Sequence, residues 1–414
     1  MNNRKNIELM APAGNFEALR AAIDNGADSI YFGIEQMNMR ANSSRNFKLE
    51  ELKKIADICH KDDVKAYMTL NTIVYDHDLK LVKSLVDEAK VAGIDAIIAM
   101  DQGVINYAKK VGVSVHISTQ LSITNVETLE FYAQFADVMV LARELSMRQI
   151  KHICSEIVRK DIRGPLGNLI KIEVFAHGAL CMAVSGKCHM SLHTMNSSAN
   201  RGACLQNCRR KYKVIDLEDG HELVIDNEYI MSPKDLATID FLNKLADTGI
   251  DIIKLEGRAR SPEYVARVTK VYREALDSIY NDTFTQEKVG EWFGRLETVY
   301  NRGFWGGYYL GKELLGEWTN KSGSSATETK VYLGKGIHYY PKAKIAHFKI
   351  DSQSLKEGDK ILITGPNTGV VEAIVGKIMV DEVFVEEAKK GDECTFQLDK
   401  KIRKSDKLFK VIPA

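Results

Sequence analysis

The sequence predicts an α/β fold: a TIM-like (β/α)8 barrel with a Cys-rich insertion, followed by a small C-terminal antiparallel β-barrel domain. Three observations lead there. A β-rich apolar run, a polar turn and a segment of helical period recur eight times along the first two thirds of the chain. The strand runs show little apolar/polar alternation, the mark of parallel strands covered on both faces. Past about residue 325 the pattern changes to short β-branched runs separated by glycine-containing turns.

In order, the strand runs are IELMAPAG, DSIYFG, VKAYMTL, DAIIAMD, VSVHIST, DVMVLARE, IKIEVFAHGAL and IDIIKLEG. Between them lie NFEALRAAIDNG, LEELKKIADICHKDD, DLKLVKSLVDEAKVAG, QGVINYAKKVG, NVETLEFYAQF and SMRQIKHICSEIVRK, several followed by the glycine expected just past a helix. PKDLATIDFLNKLADTG reads as the helix before the eighth strand, and RARSPEYVARVTKVYREALDSIYND as the last barrel helix, with Ser261 as N-cap and Pro262 at its first position. A doubly wound open sheet would cover its strands equally well, but eight alternations favour the closed barrel. The expected division is a barrel over 1–325, carrying the insertion at 178–230, then KSGSSATE as linker and a β domain over 326–414. Its strands are expected at AKIAHFKI, KILITG, VVEAIVGKIMV, EVFVEEA, ECTFQL and KLFKVI.

In such a barrel the chemistry sits at the C-terminal strand ends. Here those ends offer Asn71 and Thr72, Asp101 and Gln102, Ser118 to Gln120, Arg143 and Glu144, His177, and Glu256 with Arg258. The totals narrow the field further. The chain has 57 Lys and Arg against 56 Asp and Glu, a net charge of +1, so any surface for nucleic acid must be local. No apolar run is long enough for a signal peptide or a membrane helix, and a cytoplasmic protein with no membrane partner is expected.

Four of the seven cysteines, Cys181, Cys188, Cys204 and Cys208, lie in the insertion; Cys59, Cys154 and Cys394 stand alone and read as buried small apolar residues. A CxxxxxxC pair joined to a CxxxC pair, with glycines at 178, 186 and 202 for tight turns, suits a tetrahedral zinc or a cubane iron–sulfur cluster. Spacing alone does not choose between them. The segment leaves the end of the seventh strand, which places it over the barrel mouth. Arg201, Arg209, Arg210, Lys211 and Lys213 form a basic cluster beside it, suited to RNA phosphates.

The run EVFAHGALCMAVSGKCHMS, with Glu173, Phe175, Gly178, Cys181, Gly186, Cys188 and Ser191 in place, resembles the motif of the collagenase-like peptidase family U32. ELMAPAG, NRGACLQNCRRKY, MSPKDL and IKLEGRARSPEYV look like the same family, as does the C-terminal domain with its EGD and ITGP turns. The resemblance implies an oxygen-independent hydroxylase that carries a 4Fe-4S cluster and takes its oxygen from prephenate. The branch most similar in length and domain content hydroxylates the wobble uridine of tRNA at C5; other branches act on ribosomal RNA or on a quinone ring. Carried across, Cys181, Cys188, Cys204 and Cys208 would be the cluster ligands, with zinc as the other occupant. Some relatives take a ligand from a cysteine near MSPKDL, where this chain has Ser232.

Prephenate is a dicarboxylate, and Asn71, Gln120, Arg143, Lys254, Glu256 and Arg258 are the candidate substrate-binding residues, with Glu173 and His177 as candidate proton carriers. The GD turns at Gly358 and Gly391 and the basic Lys401, Arg403, Lys404 and Lys407 resemble the second domain of translation elongation factors, which supports tRNA as a partner. A second family member is a further candidate partner. The family label keeps metal- or thiol-dependent proteolysis as the alternative, although the chain has no HExxH and no GxSxG.

Overall fold

The computed structural model describes residues 6–41, 46–212, 218, 229–311 and 316–414. Strands β1 (Glu8–Ala13), β2 (Ser29–Phe32), β3 (Lys65–Leu70), β4 (Ala96–Ala99), β5 (Val115–Ile117), β6 (Val138–Val140) and β7 (Lys171–Gly178) pair in parallel, each with the next. After β8 (Asp235–Ala237), which stands outside the ring, β9 (Ile252–Leu255) pairs with both β7 and β1 and closes an eight-stranded barrel. Most strand residues are buried, because the barrel interior covers one face and helices the other.

Those helices are α1 (Phe16–Asp24), α2 (Leu52–Lys61), α3 (Leu79–Ala92), α4 (Gln102–Val111), α5 (Val126–Ala133) and α6 (Met147–Arg159). Local chemistry sets their ends. Asn15 and Asn125 accept hydrogen bonds from the first-turn amides of α1 and α5, and Ser146 with Gln149 forms a capping box on α6. Gly93 and Gly112 end α3 and α4 in the left-handed region. Inside the cysteine segment lies α7 (Met190–Met195).

The segment expected as the eighth crossover helix is mostly not helical. Within PKDLATID only Asp235–Ala237 is regular, as β8, and only α8 (Leu242–Ala246) follows. Tertiary pairing overrides local propensity here. The strand runs antiparallel to the tail of β7 and parallel to β10 (Phe304–Trp305), and buried Asp235 pairs with Arg302 at 3.2 Å. The last barrel helix, α9 (Pro262–Tyr280), begins as expected at Ser261 and Pro262, though the serine side chain makes no capping bond; α10 (Gln286–Glu297) follows it.

The second unit comprises β11 (Glu328–Tyr340), β12 (Ile345–Ile350), β13 (Ser354–Lys356), β14 (Lys360–Gly365), β15 (Gly369–Ile374), β16 (Ile378–Val380), β17 (Val383–Val385), β18 (Glu387–Lys389), β19 (Glu393–Gln397) and β20 (Lys407–Pro413). Eight of these strands form one antiparallel sheet in the order β15-β14-β20-β11-β12-β19-β16-β17, with β13 and β18 as a separate ribbon. Its end strands are not paired with each other, so the sheet wraps a core of its own without closing. The longest strand, β11, is absent from the expected set because Gly334 and Gly336 break its apolar pattern. Both sit at irregularities in the ladder, and a Cβ on Gly334 would lie 1.8 Å from the Lys349 carbonyl oxygen. Strands β14 and β15 pack on α1 and α9, joined by Arg267 to Glu372, Lys330 to Glu263 at 2.7 Å and Lys400 to Asp24 at 2.8 Å.

Phe348 is fully buried in this second core and stacks on Phe396, with ring centroids 5.4 Å apart. Phe348→Ala is expected to destabilise the C-terminal unit by about 3–5 kcal/mol, measured by urea unfolding.

Candidate active site at the barrel mouth

A cavity of about 230 Å3 opens at the C-terminal end of the barrel strands. Its floor is built by Tyr31 of β2, Thr69 of β3, Ile98 of β4, Val140 of β6, Phe175 of β7 and Lys254 of β9; the cysteine segment forms one wall. All six candidate substrate-binding residues line it: Asn71, Gln120, Arg143, Lys254, Glu256 and Arg258. Asp101, another polar strand end, instead caps α4 by accepting from the Gly103 amide at 2.8 Å.

The lining is strongly cationic. Among the described residues, Arg40, Arg143, Arg209, Lys254, Arg258, Arg260 and Arg302 face a single lining carboxylate, Glu256. Behind the wall, Glu173 binds Lys254 at 2.7 Å and Asp235 binds Arg302, which still leaves the cavity positive. Glu256 accepts from the Tyr31 hydroxyl at 2.8 Å and from Arg40 Nη2 at 3.2 Å. Burial alone would raise its carboxyl, but Arg40, Arg143, Arg258 and the Tyr31 hydrogen bond pull it down to about 2. Arg258 is buried and donates to Asn38 Oδ1 at 3.1 Å and Thr69 Oγ1 at 2.9 Å.

Arg143 is held differently. Its guanidinium lies 3.9 Å from the Phe175 ring centroid and Nη1 donates to the Ala179 carbonyl at 3.1 Å, while its buried Nε has no hydrogen-bond partner. No carboxylate forms an ion pair with it among the described residues, and Glu144 is exposed. It is the cation in this lining best placed to receive an anion.

The two candidate proton carriers do not line the cavity. Glu173 is fully buried inside the barrel, between Lys254 and His116 Nδ1 at 3.4 Å. Burial raises its carboxyl, but Lys254 and His116 hold it below the ordinary range. His177 follows a register irregularity in β7 and packs outside the barrel against Tyr264, Tyr272 and Phe304. Burial, aided by Arg260, depresses its imidazole to about 3, so it stays neutral and sealed off. Both residues support the scaffold rather than touch the cavity.

Cys181, Cys188, Cys204 and Cys208 all line the same wall, Cys181 exposed and the others half-buried. They are the thiolate donors available for a metal centre. Burial raises the Cys208 thiol; Arg209 opposes this and the other three cysteines add to it, so the four share one electrostatic environment. They do not converge on one point: among the described residues no group of three or more His, Cys, Asp or Glu side chains is gathered to hold a single metal ion. Cys59, Cys154 and Cys394 are buried, as expected.

Two glycines bring this wall against the barrel. Gly178, at φ +106°, lets the chain leave β7 beside Glu256, whose carbonyl oxygen would lie 2.3 Å from a Cβ. Gly202, at φ +82°, approaches the Asn38 carbonyl oxygen equally closely.

The expected RNA-binding cluster divides. Arg201 donates to Asp78 at 2.5 Å and to the Ile73 carbonyl at 2.8 Å, and lies over Tyr75, so it is spent inside the protein. Arg209 clamps the segment, donating to Leu180 O at 2.7 Å, Pro233 O at 2.6 Å and Ser232 Oγ at 2.9 Å. Arg210 and Lys211 are exposed. Lys213 and most of the insertion's second half lie outside the described residues. Sequence reasoning missed Tyr31, Arg40, Arg260 and Arg302. Tyr31 reads as an interior strand residue and Arg40 lies well past its strand end, so neither carries a local signal.

Glu256 titrates at about 2 in the fold against an ordinary 4.5. Its stabilising contribution is therefore complete above pH 4.5 and fades as pH falls towards 2. Relative to the parent, Glu256→Gln is expected to lose on the order of 3 kcal/mol at neutral pH, the difference shrinking between pH 4.5 and 2 in urea unfolding. A pH-independent difference would contradict this.

Comparison with known proteins bears on the same elements. The model of peptidase family U32 matches residues 14–317, the barrel from α1 onwards together with its cysteine segment. A protein named collagenase from Porphyromonas gingivalis (strain ATCC BAA-308 / W83) is 54% identical over 408 residues, covering 99% of this chain and 98% of its own. The tRNA hydroxylation protein P1 of Bacillus subtilis (strain 168) is 30% identical over 425 residues, covering 98% and 95%. A 23S rRNA 5-hydroxycytidine synthase of Escherichia coli (strain K12) is 34% identical over 277 residues, 67% of this chain and 40% of that protein. On a match that takes in seven of the eight barrel strands, the residues lining the cavity and all four clustered cysteines, this chain belongs to peptidase family U32.

Proposed function

We propose that this chain is an oxygen-independent RNA hydroxylase that forms 5-hydroxyuridine at the tRNA wobble position, using a 4Fe-4S cluster on Cys181, Cys188, Cys204 and Cys208 and prephenate as oxygen donor. One observation carries the reading: four thiols and a surplus of cations line the same cavity at the barrel mouth. A relative over the full length is named a tRNA hydroxylation protein.

Four thiols on one wall of the cavity are the donor chemistry such a cluster takes, one thiolate for each iron. When bound, the cluster would supply one-electron redox chemistry.

The protein side of the reaction then follows from the lining. Arg143, which has no ion-pair partner among the described residues, offers its guanidinium to one carboxylate of prephenate, and Lys254, which pairs with Glu173 behind the wall at 2.7 Å, lines the same cavity near the other. Asn71 and Gln120 supply neutral polar contacts. Glu256 holds Arg40 and Tyr31 in place rather than acting as a base, since a carboxyl at about 2 accepts protons poorly. The C5–H of uridine is replaced by C5–OH with prephenate as both oxygen source and two-electron oxidant: its C–OH bond breaks as the C5–O bond forms, and the hydrogen displaced from C5 goes to the carbon that carried the hydroxyl.

Proteolysis is the second reading, favoured by the relative named collagenase. A thiol protease pairs its cysteine with a histidine, and among the described residues no histidine lines this cavity. Nucleoside analysis of tRNA from a deletion strain separates the two: 5-hydroxyuridine and its derivatives should disappear, return with the parent gene, and stay absent with Cys204→Ala. That variant, purified anaerobically, should also lack broad visible absorption. Unaltered tRNA modification in the deletion strain, with collagen cleavage by the purified protein that survives Cys204→Ala, would favour the peptidase. Arg143→Ala is expected to raise the KM for prephenate by about 10- to 100-fold with a smaller effect on kcat, from the loss of a charge-assisted hydrogen bond worth about 1.5–3 kcal/mol.

A further inference from the structure

The outer face of the C-terminal sheet carries an arrangement that the barrel site does not use. Antiparallel pairing sets Lys335 of β11 directly opposite Lys349 of β12 on one side and Lys407 of β20 on the other. All three are exposed, while their chain neighbours Ile350 and Leu408 are fully buried in the domain core. The register thus holds three ammonium groups in one row across three adjacent strands, with Cα atoms about 5 Å apart from strand to strand.

Like charges directly opposite destabilise a sheet, and none of the three has an ion-pair partner among the described residues. Their surroundings make the contrast plain. Lys330, Lys344, Lys356, Lys360, Lys400 and Lys410 each sit on a carboxylate. Glu393, the next residue in the row, turns to His347 at 3.3 Å instead of to Lys349. The loop entering β20 adds exposed Lys401, Arg403 and Lys404, and it is tied to the same point of β11 by the Ser405 amide on the Gly336 carbonyl at 2.8 Å. Farther along β11, exposed His338 and Tyr340 meet edge to face with centroids 4.6 Å apart.

We propose that the row Lys349–Lys335–Lys407 is a phosphate-binding track for the sugar-phosphate backbone of the substrate RNA; this rests on the RNA reading above. A line of unneutralised cations held in fixed register fits a line of phosphates. The rings beside it are polar aromatics, which suit nucleic acid, rather than the aliphatic side chains that enter a bilayer. The repulsion stored in the free protein is relieved when the backbone lies across the row.

The test uses the full chain and unmodified tRNA. With Lys335, Lys349 and Lys407 all changed to Gln, tRNA affinity at 0.1 M salt should fall about tenfold or more, and the slope of log affinity against log salt should flatten by about two to three. Because a repulsion is removed, the melting temperature should stay equal or rise, which separates lost binding from lost folding. Changing the exposed Lys61, Lys83 and Lys151 of the barrel helices to Gln should leave the salt slope unaltered. Parent-like affinity and slope in the row variant overturn the track and leave the hydroxylase reading standing. So does an equal loss in the control variant, or a loss confined to phosphatidylglycerol vesicles. Failure of the parent chain itself to bind tRNA overturns the track, and the deletion-strain nucleosides decide the RNA reading separately.

Discussion

The mouth of the barrel depends on one half-buried carboxylate. Glu256 is where three parts of the chain meet: its side chain holds Tyr31 and Arg40 from the β2 side, its amide donates to the His177 carbonyl, and its own carbonyl accepts from Tyr264. Several guanidinium groups crowded into a low-dielectric pocket repel one another strongly. A single negative charge at their centre makes the cluster tolerable, and it leaves Arg143 without a carboxylate of its own. The pocket is thus balanced to be stable when empty and still short of negative charge.

The barrel was legible because its signals are periodic and redundant. Each strand run coincides with an observed strand, and the glycines after α3 and α4 mark their ends as read. The failures are of another kind. PKDLATID has no local reason to avoid a helix; Asp235–Ala237 within it becomes a strand because the tail of β7 and the Phe304–Trp305 pair offer it ladder partners. His177 looked like a cavity residue because it stands at the C-terminal end of a strand run, yet an irregularity in the ladder after Phe175 turns it to the helix side. Glu173 does point inwards, but lies below the cavity floor. Contacts between distant segments decide such cases, and no window of sequence contains them.

The cysteine segment owes its position to backbone and arginine rather than to apolar packing. Arg209 ties its beginning at Leu180 to its return at Ser232 and Pro233, and Arg201 fastens its middle to Asp78 and Ile73. Two of the residues that read as a nucleic-acid patch, Arg201 and Arg209, thereby prove to be fasteners, while Arg210 and Lys211 stay exposed. The thiols stay partly exposed on the wall they form.

Closure of the ring through β9 has a consequence for how the chain is made. The pairing of Glu8 with Ile252 joins residues from opposite ends of the barrel sequence, so the contact of greatest loop-closure cost forms late. Until β9 emerges from the ribosome, β1 and β7 are open edges of a curved parallel sheet, with the hazard of pairing with other chains that open edges carry. The four cysteines are synthesised before that last stave. The wall that bears them can therefore settle only as the barrel shuts, which makes completion of the fold and completion of the catalytic pocket one cooperative event.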